Sequence, residues 1–184
     1  EQYKHPERFT LPDGEHMNMD TDDQLKHYCV NVAALERLAV WIGYLKEEGV
    51  YDNTRIIFVA DHGRKLGNFD RLLLDNGVDA ESYNPLLLVK DFDAEGFTVS
   101  DEFMTNADTP AIAVAGLFDD PVNPFTGKTI SSDAKHTTPL AITTSSNFQI
   151  NKNNGNQFDT SDGEWYIVKD NIFDPSNWER TTAR

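Results

Sequence analysis

Tyr51-Asp52-Asn53-Thr54-Arg55-Ile56-Ile57-Phe58-Val59-Ala60-Asp61-His62-Gly63 reads as a buried strand that ends in two adjacent metal-ligand side chains. A turn signal precedes the apolar run and a glycine follows it, as in a central strand of an α/β sheet, and ligands gather at the carboxyl ends of such strands. Asp61 and His62 sit at that end. A carboxylate oxygen beside an imidazole nitrogen suits one borderline divalent ion, Mn²⁺ or Zn²⁺, with Mg²⁺ or Ca²⁺ as harder alternatives. Gly63 lets the backbone turn sharply beside a bound group. A bare tripeptide also fits an ordinary polar loop after a strand, so its surroundings matter.

Upstream, Asp20-Thr21-Asp22-Asp23-Gln24 opens a helix, with Thr21 as cap and Gln24 completing a capping box. Leu25, Tyr28, Val32, Leu35, Ala39 and Ile42 recur at three- and four-residue spacing and mark one apolar face. Lys46 lies near the helix end and Gly49 stops it. The short link to Thr54 leads straight into the strand, which predicts a helix packed on a sheet. Cys29 falls near the apolar face, and a buried structural thiol is expected there.

The helix end Tyr44-Leu45-Lys46-Glu47-Glu48-Gly49-Val50-Tyr51-Asp52-Asn53-Thr54, followed by the strand and Asp61-His62-Gly63, resembles the sulfatase branch of the alkaline phosphatase superfamily. Within it the likeness is greatest to the lipoteichoic-acid-synthase-like phosphoglycerol transferases. Tyr83-Asn84-Pro85-Leu86-Leu87-Leu88-Val89-Lys90, Met104-Thr105-Asn106-Ala107-Asp108-Thr109-Pro110 and Asp120-Pro121-Val122-Asn123-Pro124-Phe125 extend it in order over about residues 20 to 127. The resemblance implies that Asp61 and His62 bind a catalytic metal. It also implies an upstream acidic ligand and an upstream nucleophile, and no residue here stands in a matching context. Cys29 lacks the Cys-x-Pro/Ala-x-Arg setting of a sulfatase nucleophile, and Thr21, Thr105, Thr109, Thr137 and Thr138 are better read as caps or strand entries.

We therefore expect the carboxyl-terminal part of a sulfatase-like catalytic domain, inactive alone, whose nucleophile comes from an upstream segment of the same polypeptide. The implied chemistry is metal-dependent transfer or hydrolysis of phosphate or sulfate esters. Phosphoglycerol-type transfer comes first and arylsulfatase-type hydrolysis second. A non-catalytic binding or structural domain that kept the fold is the reading from a different class. Membrane contact is expected only through upstream helices, which would place this part on the extracellular face of a bacterial cell membrane.

The 184 residues carry a formal net charge of −15 with 39% hydrophobic and 26% charged content, ordinary for a globular domain but without the basic stripe that nucleic acid requires. No nucleic-acid partner is expected. The same charge repels an anionic ester at long range, so attraction must be local. Arg64 and Lys65, directly after the ligand pair, are the candidates for substrate binding, although such loop cations are ordinarily just solvated. His136, before a strand-like run, is a weaker catalytic candidate that could approach the metal or the leaving group. His5, His16 and His27 have slighter claims. Asp70, Asp75, Asp79 and Glu81 follow no calcium-loop spacing and read as a solvated acidic surface.

The predicted fold class is α/β, a mainly parallel sheet flanked by helices, with a small antiparallel β addition at the carboxyl end. One domain is expected over 1–184, comprising an extended arm at 1–19, an α/β part at 20–130 and a β-rich appendage at 131–184. Further elements are a loop over 65–84 with one ordered piece at Leu72-Leu73-Leu74, a strand over 86–89, a short extended segment over 98–103 and a helix opening at Asp108-Thr109-Pro110. Strands are expected over 141–144 and 165–168, with a polar loop at 149–157 and a turn at 161–164.

Overall fold

In the computed structural model, which describes residues 14, 16–145, 151, 160 and 162–182, the longest element starts where its cap predicts. The Thr21 hydroxyl accepts from the Gln24 N–H at 3.2 Å, and the Gln24 side chain accepts from the Thr21 N–H at 3.0 Å. Helix α1 then runs Asp22–Glu47, with Asp22 and Asp23 in its first turn and Lys46 in its last, each sign suited to the helix dipole. Gly49 leaves it at φ 69°, a conformation that glycine adopts without steric cost.

The chain divides into two compact units, Glu1–Thr98 and Val99–Arg184, and this boundary falls inside the 20–130 stretch read from sequence as one α/β part. In the first unit β1 (Ile56–Val59) pairs with β2 (Leu87–Lys90) in the register Ile56↔Lys90 to Val59↔Leu87. The pair is antiparallel, as are all strand pairs among the described residues. A parallel neighbour needs a crossover, usually a helix, whereas the connection from β1 to β2 carries only two short 3₁₀ turns, Asp70–Leu72 and Ala80–Tyr83. The mainly parallel sheet thus remains a proposal for a larger catalytic domain.

Trp41 of α1 meets Phe58 of β1 edge to face, ring centroids 6.4 Å apart. The helix greatly overshoots this sheet: its 26 residues rise about 39 Å, against about 13 Å for a four-residue strand. Leu25, Val30, Leu35, Val40 and Tyr44 are exposed. Cys29 is exposed as well, which corrects the expectation of a buried thiol. The start of β1 is pinned electrostatically. The Lys90 ammonium donates to the carbonyls of Tyr51, Asp52 and Thr54 and lies 4.3 Å from the Tyr51 ring centre, while Arg55 holds Asp91 at 2.8 Å.

The second unit holds a three-stranded antiparallel sheet, β3 (Leu140–Thr143), β4 (Trp165–Val168) and β5 (Trp178–Thr181), with β4 central. Tyr166, Val168 and Trp178 are its buried apolar residues, and the Trp178 indole donates to the Ile172 carbonyl at 2.8 Å. The sheet is preceded by two short helices, α2 (Thr109–Val114) and α3 (Ala134–Thr137). No strand forms over 98–103, and the loop expected at 149–157 lies, apart from Asn151, outside the described residues, as does His5.

Asp108 does not cap α2. Its carboxylate reaches back to the Thr105 N–H at 2.7 Å and hydroxyl at 3.1 Å, and the almost fully buried Lys135 ammonium approaches it at 3.4 Å. Glu102 adds a second carboxylate to Lys135 at 3.3 Å. Removing one partner of a buried ion pair leaves the other charge desolvated and uncompensated. Lys135→Met is therefore expected to destabilise the protein by about 3 kcal/mol, measured by urea unfolding.

Candidate metal centre

The β1/β2 ladder extends one bond beyond the strands, from the Ala60 N–H to the Leu86 carbonyl at 2.9 Å, and Asp61 follows at once. Because the strands are antiparallel neighbours, the connection between them leaves and returns at the same end of the pair. It builds its own small core from Leu72, Leu74, Val78 and Ala80. A tight turn closes within it, Leu74 N–H to Val78 carbonyl at 2.8 Å, with Gly77 at φ 83°. Long ordered excursions of this kind commonly carry function.

Gly63 ties the two ends of the excursion together. Its N–H donates to the Ser82 carbonyl at 3.0 Å, and a Cβ added to it would stand 1.8 Å from the Glu81 carbonyl oxygen. Glycine is required here by backbone approach, rather than by a left-handed turn.

Asp61 and His62 project from this pinned junction with side chains 89% and 72% exposed. Asp61 Oδ1 accepts from the His62 N–H at 3.0 Å. His62 Nδ1 lies 2.6 Å from the Gly63 carbonyl, an acceptor, so the proton is on Nδ1. In the neutral ring that leaves Nε2 as a lone pair, 3.7 Å from the acceptor-only Asp61 Oδ2. Both acceptors are open to solvent, and their separation is one that a water molecule or a single metal ion spans. Ligand bonds of about 2.0–2.2 Å to each atom permit this separation on a single ion. A ligating histidine that gives its other N–H to a backbone carbonyl is the usual arrangement around bound metals. Among the described residues no third histidine, cysteine or carboxylate completes the set.

The neighbouring cations are arranged differently from one another. Arg64 Nη2 lies 3.8 Å from Asp23 Oδ2 at the start of α1, and Asp23 also meets His27 at 3.6 Å. Lys65 exerts its charge on Asp79. His136 is exposed on α3 of the second unit, its N–H bonded to the Asp133 carbonyl at 3.0 Å.

Asp70 and Asp75 are exposed, as expected of a solvated acidic surface, but Asp79 and Glu81 are built into the fold. Asp79 is 8% exposed and accepts from the Glu81 N–H at 2.9 Å. Glu81 accepts three backbone N–H bonds from the loop after Gly63. Asp70 takes the Asn18 amide at 2.9 Å. Sequence reading missed Glu81 as an organiser, and the only available signal was its distance of under twenty residues from Gly63 across a glycine- and asparagine-rich stretch.

Comparison with curated proteins finds a stretch of 83 residues that is 37% identical to the multifunctional alkaline phosphatase superfamily protein PehA of Trinickia caryophylli. The match takes in 45% of this chain and 15% of that relative, so the chain spans a small part of the length of the protein it matches. No family model and no solved structure matches the chain. The likeness supports the alkaline phosphatase superfamily.

Burial pushes the Asp79 carboxyl above its ordinary range, and the Glu81 charge adds to this; the Glu81 N–H bond and Lys65 act in the other direction. A carboxyl whose pKa is higher folded than unfolded costs stability at neutral pH, and that cost fades as pH falls through the folded value. Asp79→Asn keeps the Oδ1 acceptor without the charge. We expect the variant to gain stability over the parent at about pH 7 and to lose that advantage towards about pH 4, as read by urea unfolding at both pH values.

Proposed function

We propose that this chain supplies the aspartate–histidine metal ligands of a metal-dependent enzyme of the alkaline phosphatase superfamily that acts on phosphate or sulfate esters, phosphoglycerol-type transfer before sulfate-ester hydrolysis. The observation that carries the reading is His62, whose Nδ1 proton is committed to Gly63 and whose Nε2 lies beside the Asp61 carboxylate. A bound Mn²⁺ or Zn²⁺, or failing these Mg²⁺ or Ca²⁺, supplies Lewis acidity that polarises an ester oxygen and lowers the pKa of an attacking hydroxyl. Asp61 and His62 hold that ion. Arg64 and Lys65 offer positive charge to the anionic ester on a chain whose net charge of −15 otherwise repels it.

Protein metal sites of this type take three or four protein ligands, so two residues need help from elsewhere. The reading assigns the remaining ligand and the nucleophile to an upstream segment of the same polypeptide. Two observations support a larger domain: the chain matches 15% of its curated relative, and apolar residues along α1 stand exposed where they have no sheet to cover. Among the described residues no helix is long and apolar enough to cross a membrane. Anchoring at the extracellular face belongs to the upstream segment in this proposal.

The test is metal titration of the full-length protein and of its Asp61→Ala variant by calorimetry with Mn²⁺ and Zn²⁺, alongside turnover of phosphodiester and aryl sulfate substrates by both. Asp61→Ala should weaken metal binding by at least about tenfold and reduce turnover in parallel. Equal binding by both proteins would overturn the ligand assignment and favour a binding or structural domain.

A further inference from the structure

The backbone that leaves Gly63 is held chiefly by one side chain on its N–H groups and one on its carbonyls, with the Asn18 amide adding a bond to the Gly67 carbonyl at 3.2 Å. Glu81 Oε2 accepts from Leu66 at 3.0 Å and Gly67 at 2.9 Å, and Oε1 accepts from Phe69 at 2.9 Å. The carbonyls of Leu66 and Gly67 go to Gln24 Nε2, at 2.9 and 3.1 Å. Gln24 is 5% exposed, and its Oε1 accepts from the Asp20 and Thr21 N–H groups at 2.8 and 3.0 Å. The residue that completes the capping box of α1 is thus the same residue that holds the loop.

Surface loops ordinarily leave much of their backbone to water, yet here a buried amide and a carboxylate take up most of one short stretch. A carboxylate accepting several backbone N–H groups is a charge-assisted arrangement, stronger than the neutral equivalent. Between the Gly63 anchor on Ser82 and the Leu66 anchor on Glu81 only Arg64 and Lys65 remain.

Resting on the metal reading above, we propose that Glu81 and Gln24 are positioning residues for the metal centre and its anionic ester substrate. By fixing 66–69 they fix the course of the chain out of Gly63, which keeps the Gly63 carbonyl on His62 Nδ1 and Nε2 beside Asp61. They also present Arg64 and Lys65 on a two-residue span anchored at both ends. Cations held in this way lose less freedom on meeting an anion than cations on a free loop. A ligand pair this exposed draws on the surrounding backbone for its geometry.

The test uses Glu81→Gln and, independently, Gln24→Glu. The first replaces an acceptor oxygen by an amide NH₂ that faces N–H groups; the second replaces the donor that holds two carbonyls. Three quantities are read on the full-length protein: hydrogen exchange at the amides of Leu66, Gly67 and Phe69, the metal-free imidazole nitrogen shifts of His62, and Mn²⁺ affinity by calorimetry. We expect exchange to quicken by about tenfold or more. The His62 shifts should move from the Nδ1–H form towards a mixture of tautomers, and Mn²⁺ binding should weaken severalfold in both variants. Faster exchange with His62 shifts unchanged from the parent would make the contacts purely structural and overturn the proposal. Unchanged exchange in a folded variant would overturn it too. If the parent shows the Nδ1–H form and the variants lose it, but the parent binds no Mn²⁺, the positioning of His62 stands and the metal reading fails. Should Glu81→Gln fail to fold, Gln24→Glu decides the outcome.

Discussion

The close approach of Gly63 to the Glu81–Ser82 backbone is the contact on which the candidate site depends. A side chain at Gly63 would overlap the Glu81 carbonyl, so the N–H bond to Ser82 forms only because none is present. That bond brings the beginning of the excursion between β1 and β2 against its end. Asp61 and His62 are displayed just before it, and the Gly63 carbonyl that fixes the His62 tautomer belongs to the same residue. The functional pair therefore owes its geometry to backbone contacts, since its own side chains are largely in solvent.

Charge is used locally in this acidic chain. Lys90 gathers three carbonyls at the start of β1, Lys135 neutralises Asp108 in the second unit, and Glu81 takes up three N–H groups of a loop. In each case a single charged group meets partners brought from distant parts of the sequence. Such contacts hold irregular backbone where ladders and helices do not, because the charged partner strengthens each hydrogen bond. The arrangement suits a molecule with few buried apolar residues among those described, whose small cores lie around Leu72, Leu74, Val78 and Ala80 in one unit and around Tyr166, Val168 and Trp178 in the other.

What could be read from the sequence was chiefly what is decided locally. The Thr21–Gln24 capping box, the strand at Ile56–Val59, the strand at Leu87–Lys90 and the proline-started helix at Thr109 rest on neighbours in the chain, and they are present. Asp108 was legible as part of a helix opening, but not as the acceptor that turns back to Thr105 or as the partner of Lys135, which is distant in sequence. The apolar stripe of α1 predicted burial, but two four-residue strands cannot cover a helix of that length, which leaves Cys29 exposed. Strand β5, Trp178-Glu179-Arg180-Thr181, has too little apolar alternation to announce itself; its pairing with β4 defines it. The metal pair was legible as residue types at a strand end. Its tautomer was not, because that depends on where the Gly63 carbonyl points, and neither was the support from Gln24 and Glu81, which follows from the closure of the excursion.

The most direct test of the central claim is the anomalous scattering of Mn²⁺ in crystals of the full-length protein. The account predicts a peak bonded at about 2.0–2.3 Å to an Asp61 carboxylate oxygen and to His62 Nε2, with Nδ1 still on the Gly63 carbonyl. A peak on other residues alone, or on His62 through Nδ1, would contradict it.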